Sequence, residues 1–349
     1  MAKDSVTFKP KVATKALLSS LPERAQDILK KRFGLEAEDR LTLDAIGKKY
    51  GITRERVRQI EDFSLRAIRR SAEFAAATPI FNELREALHN YGGVAHEIEF
   101  LKHLDANEVN QNNLHFLLVL GNEFTKLKED DDFYHRWTVD ADLATKIHNS
   151  LRQVAESLNH DDLLSEEEMV NRVLEVVPAG SFGGTRPDAE TLAARARRWL
   201  LISKQLGLNP VGEWGLATSP NVRVRGVRDY AFLVLRKEGS PMHFMEVAKS
   251  ITNMFSHKAN PATCHNELIK DKRFVLVGRG MYALTEWGYR PGIVREVLEN
   301  ILDEHGPLTE EDILARVLKE RYVKPNTILV NLKNPKYFKK DKQGRYLAA

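Results

Sequence analysis

Residues 41–70 constrain the fold of this chain more than any other stretch. Leu41-Thr42-Leu43-Asp44-Ala45-Ile46-Gly47-Lys48-Lys49-Tyr50 runs into Gly51-Ile52-Thr53 and then into Arg54-Glu55-Arg56-Val57-Arg58-Gln59-Ile60-Glu61. Thr42 is placed to cap a first helix whose Leu43, Ile46 and Tyr50 point inward. Gly47 has no side chain to hold a crossing helix away. Gly51 can take the positive φ that a three-residue turn requires, Ile52 plugs the junction, and Thr53 caps a second helix from Arg54 to about Arg70. Val57, Ile60, Ser64 and Ile68 recur at helical spacing as the buried seam. That leaves Arg54, Glu55, Arg58, Gln59, Asp62 and Arg66 on the opposite side. The pattern is a helix-turn-helix.

The order of residues on the outer face distinguishes it from an ordinary solvated helix. A helix that reads duplex DNA carries its base contacts near its N-terminus, where Arg suits guanine, Gln suits adenine and Glu accepts from cytosine. Arg54, Glu55, Arg58 and Gln59 supply all three chemistries within two turns. They are the candidate base contacts. Thr42, Lys48, Thr53 and Arg66 are the candidate phosphate contacts, and double-stranded DNA is the expected partner.

Leu21-Pro22-Glu23-Arg24, Ile28-Leu29-Lys30-Lys31-Arg32-Phe33-Gly34-Leu35 and Leu41 to Arg70 together resemble region 4 of the primary sigma factors of bacterial RNA polymerase, over residues 17–72. The Thr-Arg-Glu-Arg-Val-Arg-Gln-Ile-Glu run at 53–61 is close to that family's signature. The resemblance implies that Arg54, Glu55, Arg58 and Gln59 read a promoter −35 element. It also implies that the preceding helices grip the flap of RNA polymerase. One departure is Asp62-Phe63-Ser64, where the family usually carries small and basic residues; an acid facing phosphate lowers affinity.

With 349 residues, 42% hydrophobic and 29% charged, the chain suits several small domains rather than one core. The net charge of +4 conceals a pattern. Residues 1–75 hold 17 Lys and Arg against 11 Asp and Glu, residues 76–220 hold 13 against 23, and residues 221–349 hold 23 against 15. Phosphate neutralisation supplies most non-specific DNA affinity, so the basic ends are the expected nucleic-acid surfaces and the acidic middle is not. Neither a membrane-spanning run nor a secretory signal is evident, and Cys264 is the single cysteine, so the expected location is the cytoplasm, at the nucleoid.

A faint repeat organises the remainder. Aligning Pro261-x-Thr263 with Pro325-x-Thr327 superposes Leu268 on Leu332, Phe274 on Phe338 and Tyr282 on Tyr346. Pro241-Met242 with Val247 likewise matches Pro307-Leu308 with Ile313. Each unit reads as three helices and a β-hairpin, a winged helix. Two more divergent copies are expected in the acidic middle. The first has helices at Ile80–Asn90, Val94–Leu104 and Glu108–Leu120; the second has them at Ala141–Leu158, Ser165–Val176 and Asp188–Ile202, with Trp214 echoing Trp137 and Tyr282. The expected class is mainly α, with a helix-turn-helix domain at 1–75 and winged-helix domains at 76–140, 141–221, 222–289 and 290–349.

Val227-Arg228-Asp229-Tyr230-Ala231, Gly239-Ser240-Pro241-Met242 and the Gly-Arg-Gly-Met-Tyr-Ala-Leu-Thr-Glu-Trp-Gly run at 278–288 resemble a HARE-type helix-turn-helix module over residues 224–288. The resemblance implies a transcription-linked adaptor. Thr263, His265, Asn266 and Lys270 lie on its expected third helix, and Arg279 at its wing tip can enter a minor groove. In the last unit, Lys339 and Lys340 belong to a lysine cluster suited to phosphate. The acidic run Glu129-Asp130-Asp131-Asp132 in the first middle copy would repel DNA and suits packing against protein.

Catalytic chemistry is not evident, and no cofactor is expected. The histidines are scattered, His257, Cys264 and His265 lack a second cysteine for a metal, and Ser181-Phe182-Gly183-Gly184-Thr185 lacks the lysine of a phosphate-binding loop. The leading expectation is a bacterial transcription factor or RNA polymerase accessory factor. The segment before residue 20 is too short for a promoter-melting domain, so strand opening is expected from another protein. Two alternatives are a scaffold of winged helices docking on RNA polymerase and an accessory subunit of a DNA modification or restriction system.

Overall fold

The computed structural model describes residues 6–36, 39–182, 187–289, 292–321 and 323–349. They are mainly helical with small sheets, as the periodicity predicts. The chain divides into two compact units, residues 1–207 with 214–217 and residues 208–213 with 218–349.

The first unit opens with α1 (Pro10–Leu18), α2 (Glu23–Phe33), α3 (Leu43–Tyr50), α4 (Arg54–Arg69) and α5 (Ala72–Ala76). Next come α6 (Thr78–Tyr91), β1 (Val94–His96), α7 (Glu97–Leu104), α8 (Glu108–Leu120), β2 (Thr125–Leu127) and β3 (Arg136–Thr138). The three strands form an antiparallel sheet in the order β1-β3-β2. A further set follows: α9 (Ala141–Ser157), α10 (Glu166–Val176), α11 (Ala189–Leu200), β4 (Leu206–Leu208) and β5 (Trp214–Leu216). Residues 183–185 of the glycine-bearing loop lie outside the described residues.

The second unit carries α12 (Val227–Glu238), β6 (Met242–His243), α13 (Phe244–Phe255), α14 (Pro261–Lys270), β7 (Phe274–Gly278) and β8 (Met281–Leu284), with sheet order β6-β8-β7. It ends with α15 (Val294–His305), α16 (Glu310–Glu320), α17 (Pro325–Leu332), β9 (Phe338–Lys340) and β10 (Tyr346–Ala348). Helices α14 and α17 both start on proline, whose missing N–H would have no partner in a first turn.

One antiparallel pairing recurs in every set. Ala95 faces Trp137, Leu164 faces Trp214, Met242 faces Tyr282 and Leu308 faces Tyr346. In each set the short segment before the second helix pairs with the last strand, and the ring opposite it is buried. The segment at Val94–His96, expected to open a helix, is therefore a strand. Its backbone groups find partners in β3, which local periodicity does not register.

Packing ties the first two sets together. A single buried cluster runs across residue 75, joining Leu17, Leu29, Phe33 and Ile68 to Phe81, Leu88, Phe100, Leu114, Phe116 and Leu117. The rings of Phe33 and Phe116 meet edge to face at 5.0 Å. Helix α8 is buried nearly all round, because one side faces its own set and another faces α1 and α2. Asn112 and Asn113 donate to the carbonyls of Gly34 and Leu35 at 2.9 and 3.2 Å, closing the exit from α2. Helix α11 is spent the same way: Trp199 donates to the buried Gly92 carbonyl at 2.9 Å, and Arg198 lies over the Tyr91 ring at 4.3 Å.

Three of the four acids in the run 129–132 are paired within the same unit. Asp130 pairs with Arg136 at 2.9 Å and Asp132 with Arg152 at 2.7 Å, while Phe133 bridges to Ser203. Asp132 thereby fastens the first of the repeated sets to the second, while Asp130 ties the hairpin to its own strand β3.

Candidate nucleic-acid interface

Helices α3 and α4 are built around Ile28, Ile46 and Val57, a small cluster closed by Leu41, Leu43, Tyr50, Ile52 and Ile60. The Thr42 hydroxyl accepts from the Ala45 N–H and the Thr53 hydroxyl from the Arg56 N–H, both at 3.2 Å, so each helix starts at the residue the sequence predicts. Gly51 takes φ +64 at the turn. At Gly47 the crossing is tight: a Cβ there would lie 2.6 Å from the Ile52 carbonyl oxygen. A side chain at that position would force the two helices apart.

The far end of α4 is fixed by α8. Arg69 donates through Nη2 to the Val119 carbonyl at 2.7 Å and through Nε to the Leu120 carbonyl at 3.0 Å. These last carbonyls of α8 have no partner within their own helix, and a cation also suits that helix end. Arg32 on α2 reaches Glu61 at 3.2 Å. Anchored at this end, α4 presents its first turns outward from a rigid base.

Arg54, Glu55, Arg58 and Gln59 are all exposed on those turns. Their side chains are already organised. Arg58 donates to both oxygens of Glu55, with a shortest distance of 2.7 Å, and to Asp62 at 2.8 Å. The guanidinium holds the Glu55 carboxyl below its usual range, and Glu55 in turn raises Arg58. Arg56 donates to the Gln59 side-chain oxygen at 3.1 Å. Among the phosphate candidates, Lys48 pairs with Asp44 at 2.7 Å, and Arg66 donates to the Asp62 carbonyl at 3.2 Å. Thr42 and Thr53 accept at their caps and retain a hydroxyl proton to donate. An open depression at the turn is lined by Asp44, Lys48, Thr53, Arg54 and Arg56.

Two features of this face were not singled out by sequence reasoning. Arg56 is the partner of Gln59, although it sits inside the same motif. Phe63 is 71% exposed on the outer face, one turn beyond Gln59. The packing of α4 leaves that ring uncovered among the described residues, which spacing along the sequence does not reveal.

Residues 17–70 match the family model for sigma-70, region 4. Over 53 residues the chain is 47% identical to RNA polymerase sigma factor SigA of Bacillus sp, a stretch covering 15% of this chain and 14% of that protein. The chain therefore spans only about a seventh of that relative. Region 4 is a DNA-binding rather than a catalytic domain.

The remaining candidates lie in the second unit. Thr263, Asn266 and Lys270 are exposed on α14, and Arg279 is exposed in the β7–β8 turn. His265 is half-buried instead, stacked on Phe244 with ring centroids 4.4 Å apart and meeting Tyr282 at 5.8 Å. Its ring is part of the packing. Lys339 and Lys340 are exposed on β9. Cys264 is buried, and burial pushes its thiol up to about 11. Among the described residues no cluster of His, Cys, Asp and Glu has the arrangement of a metal site, and no helix is long and apolar enough to cross a membrane.

Proposed function

We propose that this protein binds duplex DNA by placing the first turns of α4 in the major groove, acting as a sigma region 4-like transcription factor or RNA polymerase accessory factor. Arg54, Glu55, Arg58 and Gln59 read base edges, while Thr42, Lys48, Thr53 and Arg66 hold phosphates on either side. One observation carries the reading. All four base-reading side chains emerge together from the capped, N-terminal two turns of a helix whose other end is clamped.

The repeated sets, each with three helices and two closing strands, act as winged-helix domains, and residues 224–288 as the HARE-type module among them. The first two serve as struts, because α8 and α11 spend their faces on packing within the chain. Contact with RNA polymerase belongs to the same reading. Docking the flap on the apolar side of α2 requires α8 to leave it, since Phe33 is already paired with Phe116.

Arg58→Ala tests the proposal. On a duplex carrying the preferred site it should weaken binding about ten- to a hundredfold and relax preference at one base pair. Equal loss on every sequence would count against base reading.

A further inference from the structure

The four repeated sets differ in what their third helices do. Those of the first two are buried against neighbouring elements, whereas α17 in the last set keeps an open outer face. Ile328 and Leu332 point into the core, and Asn326, Thr327, Val330 and Lys333 face outward. Beside it stands the β9–β10 hairpin, with Lys339 opposite Leu347 and Lys340 opposite Tyr346.

Charge within this small set is sharply divided. Residues 292–321, covering α15 and α16, hold eight Asp and Glu against four Lys and Arg. Residues 323–349, covering α17 and the hairpin, hold seven Lys and Arg against one acid, Asp341. That acid is occupied by the hairpin turn. It accepts from the backbone of Gln343 and Arg345 at 2.8 and 2.9 Å and from the Arg345 side chain at 2.9 Å. Lys333, Lys336, Lys339, Lys340 and Lys342 are all exposed, and none is in an ion pair among the described residues. Lys336 and Arg295 also flank the Tyr337 ring, at 5.3 and 4.5 Å. The Tyr337 hydroxyl is drawn below its usual pKa, first by Lys336, as a positive local field requires.

We propose that the last set, residues 294–348, is a second and sequence-independent contact for duplex DNA, in which α17 and the lysine-bearing hairpin grip the phosphate backbone. A helix fits the major groove and a two-stranded hairpin can follow the adjacent backbone, so the charged surface has the shape of a duplex partner. The charges that would hold the backbone all lie on this set and act independently of base reading by α4.

The test is a salt titration of the full-length chain on a random-sequence 30-base-pair duplex. The quadruple variant Lys336→Gln, Lys339→Gln, Lys340→Gln and Lys342→Gln should lower the slope of log affinity against log salt by about 3.6, roughly 0.9 for each lost phosphate contact. Wild-type binding should therefore fall about a hundredfold more than the variant's between 50 and 200 mM salt. Replacing the same lysines by Arg should keep the slope. A second arm, Arg54→Ala with Arg58→Ala, should erase any preferred site while leaving the lysine-dependent part of the slope intact, which separates this proposal from the reading of α4. An unchanged slope and affinity in the Gln variant would overturn the proposal, as would a loss seen on single-stranded RNA but not on duplex.

Discussion

The Arg58 guanidinium donates to the Asp62 carboxylate at 2.8 Å, one helical turn along α4. With Glu55 on its other side, the arginine is held between two acids before any DNA arrives. To grip a guanine it must exchange these partners for base edges. The pairs are solvent-exposed, so the exchange costs little in water. Asp62→Ala should leave Arg58 better able to bind and remove a charge that faces phosphate. Binding to duplex should tighten about three- to tenfold at low salt, with the gain shrinking as salt rises. Weaker binding in a fluorescence-anisotropy titration would mean that Asp62 preorganises Arg58 instead of restraining it.

The core shared across residue 75 makes a second prediction. Phe116 is fully buried on α8, yet it packs against Phe33 on α2. Phe116→Ala should cost about 3–5 kcal/mol, and calorimetry should show the helix-turn-helix losing stability together with the first repeated set. Two independent transitions, with the helix-turn-helix unaffected, would contradict a common core.

Acid sensitivity follows from the join between the first two repeated sets. His148 accepts from Arg136 Nε at 2.8 Å and stacks on Phe133 at 4.4 Å. Burial, then Arg136 and Arg152, bring its pKa down to about 4. Between that value and 6.5 the unfolded chain binds the extra proton, so this contribution is complete above pH 6.5 and is lost as pH falls toward 4. Burial would raise Glu97, but hydrogen bonds and charges from His115 and Lys126 outweigh it and set its pKa at about 2. Its contribution is lost at lower pH, from 4.5 downward through 2. The melting temperature should therefore fall in two stages, and His148→Gln should flatten the first. An unaltered first stage in that variant would place the sensitivity elsewhere.

Local patterns were legible in the sequence where a residue's role depends on its near neighbours. The caps Thr42 and Thr53, the turn at Gly51 and the close approach at Gly47 follow from chemistry within about ten residues, and the structure has each of them. The repeat was legible through Leu268 and Leu332, Phe274 and Phe338, and Tyr282 and Tyr346, all of which are buried. Long-range pairing was not. Strand β1 exists because β3, some 40 residues later, supplies its hydrogen bonds. The all-round burial of α8 reflects two separate surfaces closing on it. The partner of Asp132, Arg152, comes from beyond the hairpin that carries the acidic run, so charge alone did not identify it. His265 looked available for DNA because periodicity placed it near the helix surface, yet Phe244 lies against it.

The central claim is that α4 reads sequence, and selection from a random duplex library measures this directly. Wild-type protein should enrich a defined motif. A variant carrying Arg54→Ala, Arg58→Ala and Gln59→Ala should keep its fold and its salt-dependent binding but enrich nothing. Recovery of the same motif by both proteins, or of no motif by either, would contradict the account.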